Sequence, residues 1–214
     1  MEETIRYYAK QAVEYDLQYE NPGFQNDLRT IKEMLTRTFK GKRVFEVACG
    51  TGRWTQYVAQ VATAVFAIDA NENMLEIARK RRYPADTVTL VRADAYTMNL
   101  RSKRFNGGLA GFWISHVDLG RMDRFLKAFH SWLETGAAVI LFDDLETSDR
   151  MSATSRTDKH GNRYEVRTLL NGEHFEIIEN FFSREDLQSL IEGYGTSLHF
   201  ETLETKWLLQ YQAK

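Results

Sequence analysis

The sequence predicts an α/β fold: a doubly wound, mostly parallel seven-stranded sheet preceded by helices and followed, after the fifth strand, by a β-hairpin insertion. Three observations carry this expectation. From Arg43 onward short apolar runs alternate with amphipathic stretches, the texture of parallel strands covered by helices on both faces. The first apolar run ends in a turn containing Gly50 and Gly52 and leads into a helical pattern. In the last third, Asn171-Gly172 separates two strand-like stretches, the strongest short-range hairpin signal.

Each element follows in order. Ile5, Ala9 and Val13, then Leu28, Ile31 and Leu35, recur at helical steps, so residues 2–39 read as helices divided at Asn21-Pro22-Gly23. Residues 43–48 (RVFEVA), 64–69 (AVFAID), 87–92 (TVTLVR), 105–113 and 137–142 (AAVILF) read as five strands, with helices between them that carry Trp54, Met74, Leu75, Phe125 and Phe129. Such strand-then-helix units require right-handed crossovers. Residues 150–162 are polar and aperiodic, which predicts an exposed loop. Residues 163–170 and 173–181 form the predicted hairpin. Ser183 with Asp186 three positions on resembles a capping box opening a helix to Gly193. Residues 197–203 and 207–211 then predict an antiparallel pair that closes the sheet.

The chain has 214 residues at formal net charge −2, with 43% hydrophobic and 27% charged residues. That is enough for one large core, so residues 1–214 are taken as a single domain. One cysteine, Cys49, can form neither an internal disulfide nor a multi-thiolate metal site, and it points to the cytoplasm. No apolar run reaches the roughly 18 residues of a membrane span and the start lacks a signal pattern, so no membrane partner is expected. Near-neutral charge argues against a nucleic-acid partner. The basic stretches RKRR (79–82) and RSKR (101–104) read as a solvated helix end and a loop.

The chemistry concentrates in VFEVACGTGRWT, residues 44–55. Glycines there let a ligand approach the backbone, and the helix that follows offers unpaired N–H groups. A dinucleotide fingerprint would place a third glycine where Thr55 stands. Glu46 would repel a pyrophosphate, yet it suits a ligand carrying an amino group and no phosphate.

EVACGTG at 46–52 resembles the first motif of the class I S-adenosylmethionine-dependent methyltransferase family of the small-molecule type, and the resemblance runs from about Tyr7 to the C-terminus. It implies a Rossmann-like methyltransferase fold, with 1–40 as a helical lid, 41–145 as the cofactor core, 146–182 as a loop and hairpin insertion, and 183–214 as the closing helix and strands. S-adenosyl-L-methionine is the implied cofactor. By the resemblance Glu46 helps hold the methionine amino group, and Ala48, Cys49, Gly50 and Gly52 form the loop around it. Asp69, ending the second strand, takes the ribose hydroxyls. Ala70 and Met74 pack near the adenine, Asp94 and Ala95 bind its edge, and Gly111 or Phe112 lies beside the methionine moiety. Tyr15 is the lid residue that would close over the cofactor.

Methyl transfer needs alignment and desolvation more than a dedicated base, so residue signatures report the acceptor poorly. The absence of an N/D-P-P-Y/F motif and of a Pro-Cys nucleophile argues against DNA enzymes. The expected partner is therefore a small molecule, methylated on oxygen or nitrogen. His116, in the turn after the fourth strand, is the candidate base, with helix capping or plain substrate contact as the competing role. Tyr8, Trp113, Arg163, Tyr164, Arg167 and His174 are candidate substrate contacts. Asp118, Asp143 and Asp144 could suggest a metal, but no metal site is expected. A homodimer stays open, as do a non-catalytic S-adenosylmethionine-binding protein and an NAD-linked oxidoreductase, the last opposed by the missing third glycine.

Overall fold

The computed structural model describes residues 2–97, 104–147, 151 and 153–214. Its centre is a seven-stranded sheet in the order β3-β2-β1-β4-β5-β10-β9. Strands β1 (Arg43–Val47), β2 (Ala64–Asp69), β3 (Val88–Arg92), β4 (Phe105–Gly111) and β5 (Leu133–Asp144) run parallel, while β10 (Lys206–Ala213) is antiparallel to both β5 and β9 (Gly195–Thr202). The order reverses between β1 and β4. In open parallel sheets a crevice forms there, outside the carboxyl ends of the strands.

Helices α1 (Glu2–Gln11), α2 (Gln25–Thr38), α3 (Arg53–Ala59), α4 (Glu72–Ala78), α5 (Met122–Ser131) and α6 (Arg184–Ile191) surround the sheet. Two buried clusters fill its faces. One gathers Phe45, Val47, Ile68, Phe125, Phe129 and Trp207 on the α5 side; the other gathers Leu28, Ile31, Val44, Cys49, Trp54 and Phe142 on the α2 and α3 side. Alternation along β1 explains the split, since successive side chains of a strand point to opposite faces. The capping box at Ser183 forms, with Asp186 N–H donating to Ser183 Oγ at 3.1 Å and Ser183 N–H donating to Asp186 Oδ2 at 2.9 Å.

The amino-terminal region departs from the expected helix pair. Helix α1 ends at Gln11, and Tyr15–Glu20 and Pro22–Phe24 are short 3-10 turns before α2. Tyr8, Tyr15 and Tyr19 still form a ladder, with ring centroids 5.9 Å apart at each step, but a break in the helix, not helical period, brings them together.

The region after β5 also differs. The hairpin of β7 (Arg163–Thr168) and β8 (His174–Ile178) gains β6 (Thr154–Thr157) at its edge, giving a separate three-stranded antiparallel sheet. Part of the expected 150–162 loop is therefore a strand; its sequence TSRT is nearly all exposed, so no apolar alternation announces it. Helix α1 rests on β8 through Tyr7 and Phe175, 5.8 Å between ring centroids, and through the Glu176 N–H, which donates to Glu3 at 3.0 Å. No helix among the described residues is long and apolar enough to cross a membrane. Of the basic stretch at 101–104, residues 101–103 lie outside the described residues.

Candidate active site

A cavity opens at the carboxyl ends of β1, β2, β3 and β4 under α1. Its wall includes Tyr8, Tyr15, Ala48, Gly50, Asp69, Ala70, Met74, Asp94, Ala95, Phe112, Trp113 and His116. The structure thus brings together nine of the thirteen residues that the sequence assigns to a cofactor, the candidate base and two of the six candidate acceptor contacts. Thr4, Ile5, Asn71, Tyr96 and Arg121 join them without having been singled out.

Backbone conformation shapes this wall. Ala48 has φ 53° and Phe112 φ 51°, left-handed values that non-glycine residues seldom adopt. Each sits just past a strand end and turns the chain across the crevice. Gly50, at φ 55°, presents bare backbone to the cavity, because a Cβ there would meet nothing nearer than Tyr15 Cε1 at 3.9 Å.

Asp69 locks the loop from beneath. Its Oδ2 accepts from Gly50 N–H at 2.9 Å and its Oδ1 from Asn71 N–H at 2.7 Å. Burial still pushes its carboxyl up to about 6, against the pull of those backbone donors. Asp94 accepts from Tyr96 N–H at 2.8 Å, which fixes the turn after β3.

Four residues of the expected cofactor set point elsewhere. Glu46 is 3% exposed, lies on the same face of β1 as Val44 and is absent from the cavity wall. Its Oε2 has no hydrogen-bond partner, and burial pushes its carboxyl up to about 8. Cys49 packs into the cluster with Leu28 and Trp54, and burial holds its thiol well above the ordinary range. Gly52 serves packing: a Cβ would lie 2.4 Å from the Tyr83 hydroxyl and 3.0 Å from Ala78 Cβ. Gly111 makes room for Phe142, whose ring would stand 2.2 Å from a Cβ.

His116 occupies a short 3-10 turn, Ile114–His116, after β4. Its Nδ1 lies 2.7 Å from the Ile178 carbonyl oxygen. A carbonyl can only accept, so Nδ1 carries the proton and Nε2 presents a lone pair. That lone pair accepts from the Tyr8 hydroxyl at 2.6 Å. Burial, then the Glu179 carboxylate, keep the Tyr8 phenol well above its ordinary range, so it stays a donor.

Several buried polar residues hold this turn; the sequence singles out Asp118 and Asp143 only as carboxylates that could suggest a metal, and Asn162 and Asn180 not at all. Asp143 accepts from Ser115 N–H at 3.0 Å, and burial followed by the Asp144 charge pushes its carboxyl up to about 7. Asn180 N–H donates to the Ser115 carbonyl at 2.8 Å and its side chain to the Val117 carbonyl at 3.0 Å. Asn162, fully buried, accepts from Leu119 N–H at 2.8 Å and donates to Asp118 at 3.0 Å. For Asn180 the available signal is a pair of polar residues, Glu179-Asn180, inside the otherwise apolar run IIENFF.

The remaining candidate acceptor contacts are turned away from the cavity. Arg163 pairs with Glu146 and donates to Thr154 at 2.7 Å. Tyr164 lies under the Arg156 guanidinium and donates to Asp158 at 3.2 Å. His174 is exposed and bonds Thr168 at 2.9 Å. Arg167 is held by Glu179 and Glu165, at 2.8 and 3.0 Å. Among the described residues no cluster of three or more metal-ligating side chains occurs.

Residues 44–136, which hold the first four strands and the loop after β1, match a family model described as a methyltransferase domain. The fold is the Rossmann-like methyltransferase fold. Over 107 residues it is 33% identical to a demethylmenaquinone methyltransferase of Staphylococcus aureus (strain MRSA252), an alignment covering 46% of this chain and 44% of that protein. The chain thus spans less than half the length of the curated relatives it matches. Among solved structures, a DhpI-SAM-HEP complex superposes with a TM-score of 0.81 at 22% identity, covering 99% of this chain and 96% of that one. The N-methyltransferase NodS from Bradyrhizobium japonicum WM9, in complex with S-adenosyl-l-homocysteine, superposes with a TM-score of 0.70 at 11% identity, covering 98% of each chain. At these identities the two structures speak for the fold.

Proposed function

We propose that this protein transfers the methyl group of S-adenosylmethionine to an oxygen or nitrogen of a small, apolar or aromatic metabolite, with a hydroxyl as the favoured acceptor. The observation that carries the reading is His116, whose Nε2 lone pair accepts from the Tyr8 hydroxyl in the wall of the same cavity that Asp69 and Asp94 line.

The residues present fit the cofactor. Carboxylates at the ends of β2 and β3 match a ribose diol and an amino edge, and among the described lining residues Arg121 is the one Lys or Arg, which suits a ligand without phosphate. In this reading Asp69 holds the ribose, Asp94 and the Ala95 N–H the adenine, and Gly50 and Phe112 backbone the methionine end. When bound, the cofactor supplies a methyl group made electrophilic by its sulfonium.

The protein supplies alignment, a dry wall and a proton acceptor. Tyr8 donates to His116 Nε2 from inside the cavity, the position an acceptor hydroxyl would take after displacing it. His116 Nε2 would take the proton that an acceptor hydroxyl gives up when its oxygen is methylated. Tyr8, Tyr15, Phe112 and Trp113 give that acceptor ring faces to lie against.

Thermal-shift titration tests the cofactor: S-adenosylmethionine and S-adenosylhomocysteine stabilise the protein, NAD does not, and Asp69→Ala weakens the stabilising ligands about 10- to 100-fold, the worth of one or two charged hydrogen bonds. Stabilisation by NAD alone would defeat the proposal. Turnover with a panel of phenols, amines and demethylated quinols separates enzyme from mere binder. His116→Gln should lower kcat about 10²- to 10⁴-fold while leaving S-adenosylhomocysteine binding unchanged.

A further inference from the structure

Three side chains of the cavity wall, Arg121, Tyr96 and Trp113, hold hydrogen-bond donors that the fold leaves unused. Arg121 ends the 3-10 turn Leu119–Arg121, and its guanidinium lies over the Tyr96 ring, 4.0 Å from Cζ to the centroid. Among the described residues that side chain has no ion pair and no hydrogen bond. The Asp118 carboxylate is turned to its own loop instead, where Oδ1 accepts from Gly120 N–H at 2.9 Å and from Asn162 at 3.0 Å. The Tyr96 hydroxyl and the Trp113 indole N–H are closed off from solvent and have no partner either. Burial pushes the Tyr96 phenol up to about 12, against the pull of Arg121, so the hydroxyl keeps its proton.

The three also come together in space. The Tyr96 and Trp113 rings stand 6.4 Å apart, and both rest on Phe125, at 6.1 and 6.0 Å. Trp113 opens the turn that ends at His116, whose N–H donates to the Trp113 carbonyl at 3.0 Å. The stretch 113–121 therefore carries the candidate base and two of the three donors. A guanidinium and an indole N–H can only donate, so a ligand that completes them must bring acceptor oxygens, and one guanidinium calls for one negative charge. A carboxylate fits, since its two oxygens accept side by side from a guanidinium fork. The cofactor's own carboxylate belongs, in the reading above, to the methionine end beside Gly50 and Phe112, whereas Tyr96 directly follows Ala95 at the end given to the adenine.

We propose that Arg121, with Tyr96 and Trp113, selects an acceptor that carries a carboxylate besides its hydroxyl, so that the methylated class is hydroxy acids with an aromatic or apolar body. The proposal deepens the reading of methyl transfer to a hydroxyl and rests on it. Arg121 holds the acid end of the acceptor while His116 meets its hydroxyl, and two fixed points of this kind orient a small molecule better than one. The positive sulfonium of the bound donor works in the same direction, because it favours an anion in the cavity.

The test titrates the full chain by calorimetry with benzoate, benzamide and phenylphosphonate, after saturation with S-adenosylhomocysteine so that the cofactor's carboxylate is already in place. Benzoate should bind about tenfold more tightly than benzamide, and Arg121→Gln should weaken benzoate about 10- to 100-fold while leaving benzamide unchanged. Tyr96→Phe and Trp113→Phe, which keep a ring and remove a donor, should each weaken benzoate several-fold. Equal binding of benzoate and benzamide by the parent, or none, overturns the proposal whatever the variants do, and tighter binding of phenylphosphonate than of benzoate overturns the carboxylate as the group selected. So does an Arg121→Gln variant that loosens S-adenosylhomocysteine but not methylthioadenosine, which lacks the carboxylate, for Arg121 then holds the cofactor. Turnover keeps the two readings apart. Methylation of neutral phenols with refusal of hydroxybenzoates sinks the acid preference and leaves methyl transfer standing, whereas Arg121-dependent benzoate binding without turnover of any hydroxy compound leaves the anion site and sinks the methylation of a hydroxyl.

Discussion

Glu46 carries a carboxyl group that burial raises from 4.5 to about 8, and this has a consequence for stability. Between those values the unfolded chain binds fewer protons than the folded one, so the stability of the ligand-free protein falls as pH rises through that window. Glu46→Gln removes the contribution. Its melting temperature should match the parent near pH 4.5 and exceed it at pH 8.5 by the equivalent of about 1–3 kcal/mol, the usual cost of an unsatisfied buried group; calorimetry across pH checks this. The residue type was legible in the sequence, but its direction was not. Strand alternation puts Glu46 on the α3 side of β1, and the left-handed Ala48 then sends Gly50 to the cavity and Cys49 to the core. A motif names a loop, and only the backbone path says which of its residues face a ligand.

At the scale of elements, β4 ends against β5 with no room to spare. Gly111→Ala would put a Cβ 2.2 Å from the Phe142 ring, and overpacking of this kind costs about 1–3 kcal/mol; urea unfolding should show it. Truncating either buried asparagine tests the joint between the two sheets. Asn180→Ala leaves the Val117 carbonyl and the Arg163 N–H without their partner, so about 1–3 kcal/mol of stability should be lost. The strands of the large sheet were readable because their apolar runs are long and regular. Asn171-Gly172 revealed the hairpin, with Gly172 at φ 85°. β6 escaped because an exposed edge strand needs no apolar face, and the break after Gln11 escaped because tyrosines spaced for a helix also suit a folded-back ladder.

For the whole molecule, the amino-terminal segment is latched to the cofactor loop as well as to β8. Asp16 accepts from the Thr51 hydroxyl at 2.7 Å and pairs with Arg81, which also donates to the Thr51 carbonyl. Arg81→Ala should raise hydrogen exchange across residues 2–20 and weaken S-adenosylhomocysteine binding several-fold, while the protection of β1 and β4 stays unchanged. The position of β10 matters in another way. It is the last strand in chain order, yet it lies inside the sheet, paired on one side to β5 and on the other to β9. During synthesis the edge of β5 therefore waits bare until residue 213 has left the ribosome, and a chain interrupted before Lys206 would expose a long apolar edge to its neighbours.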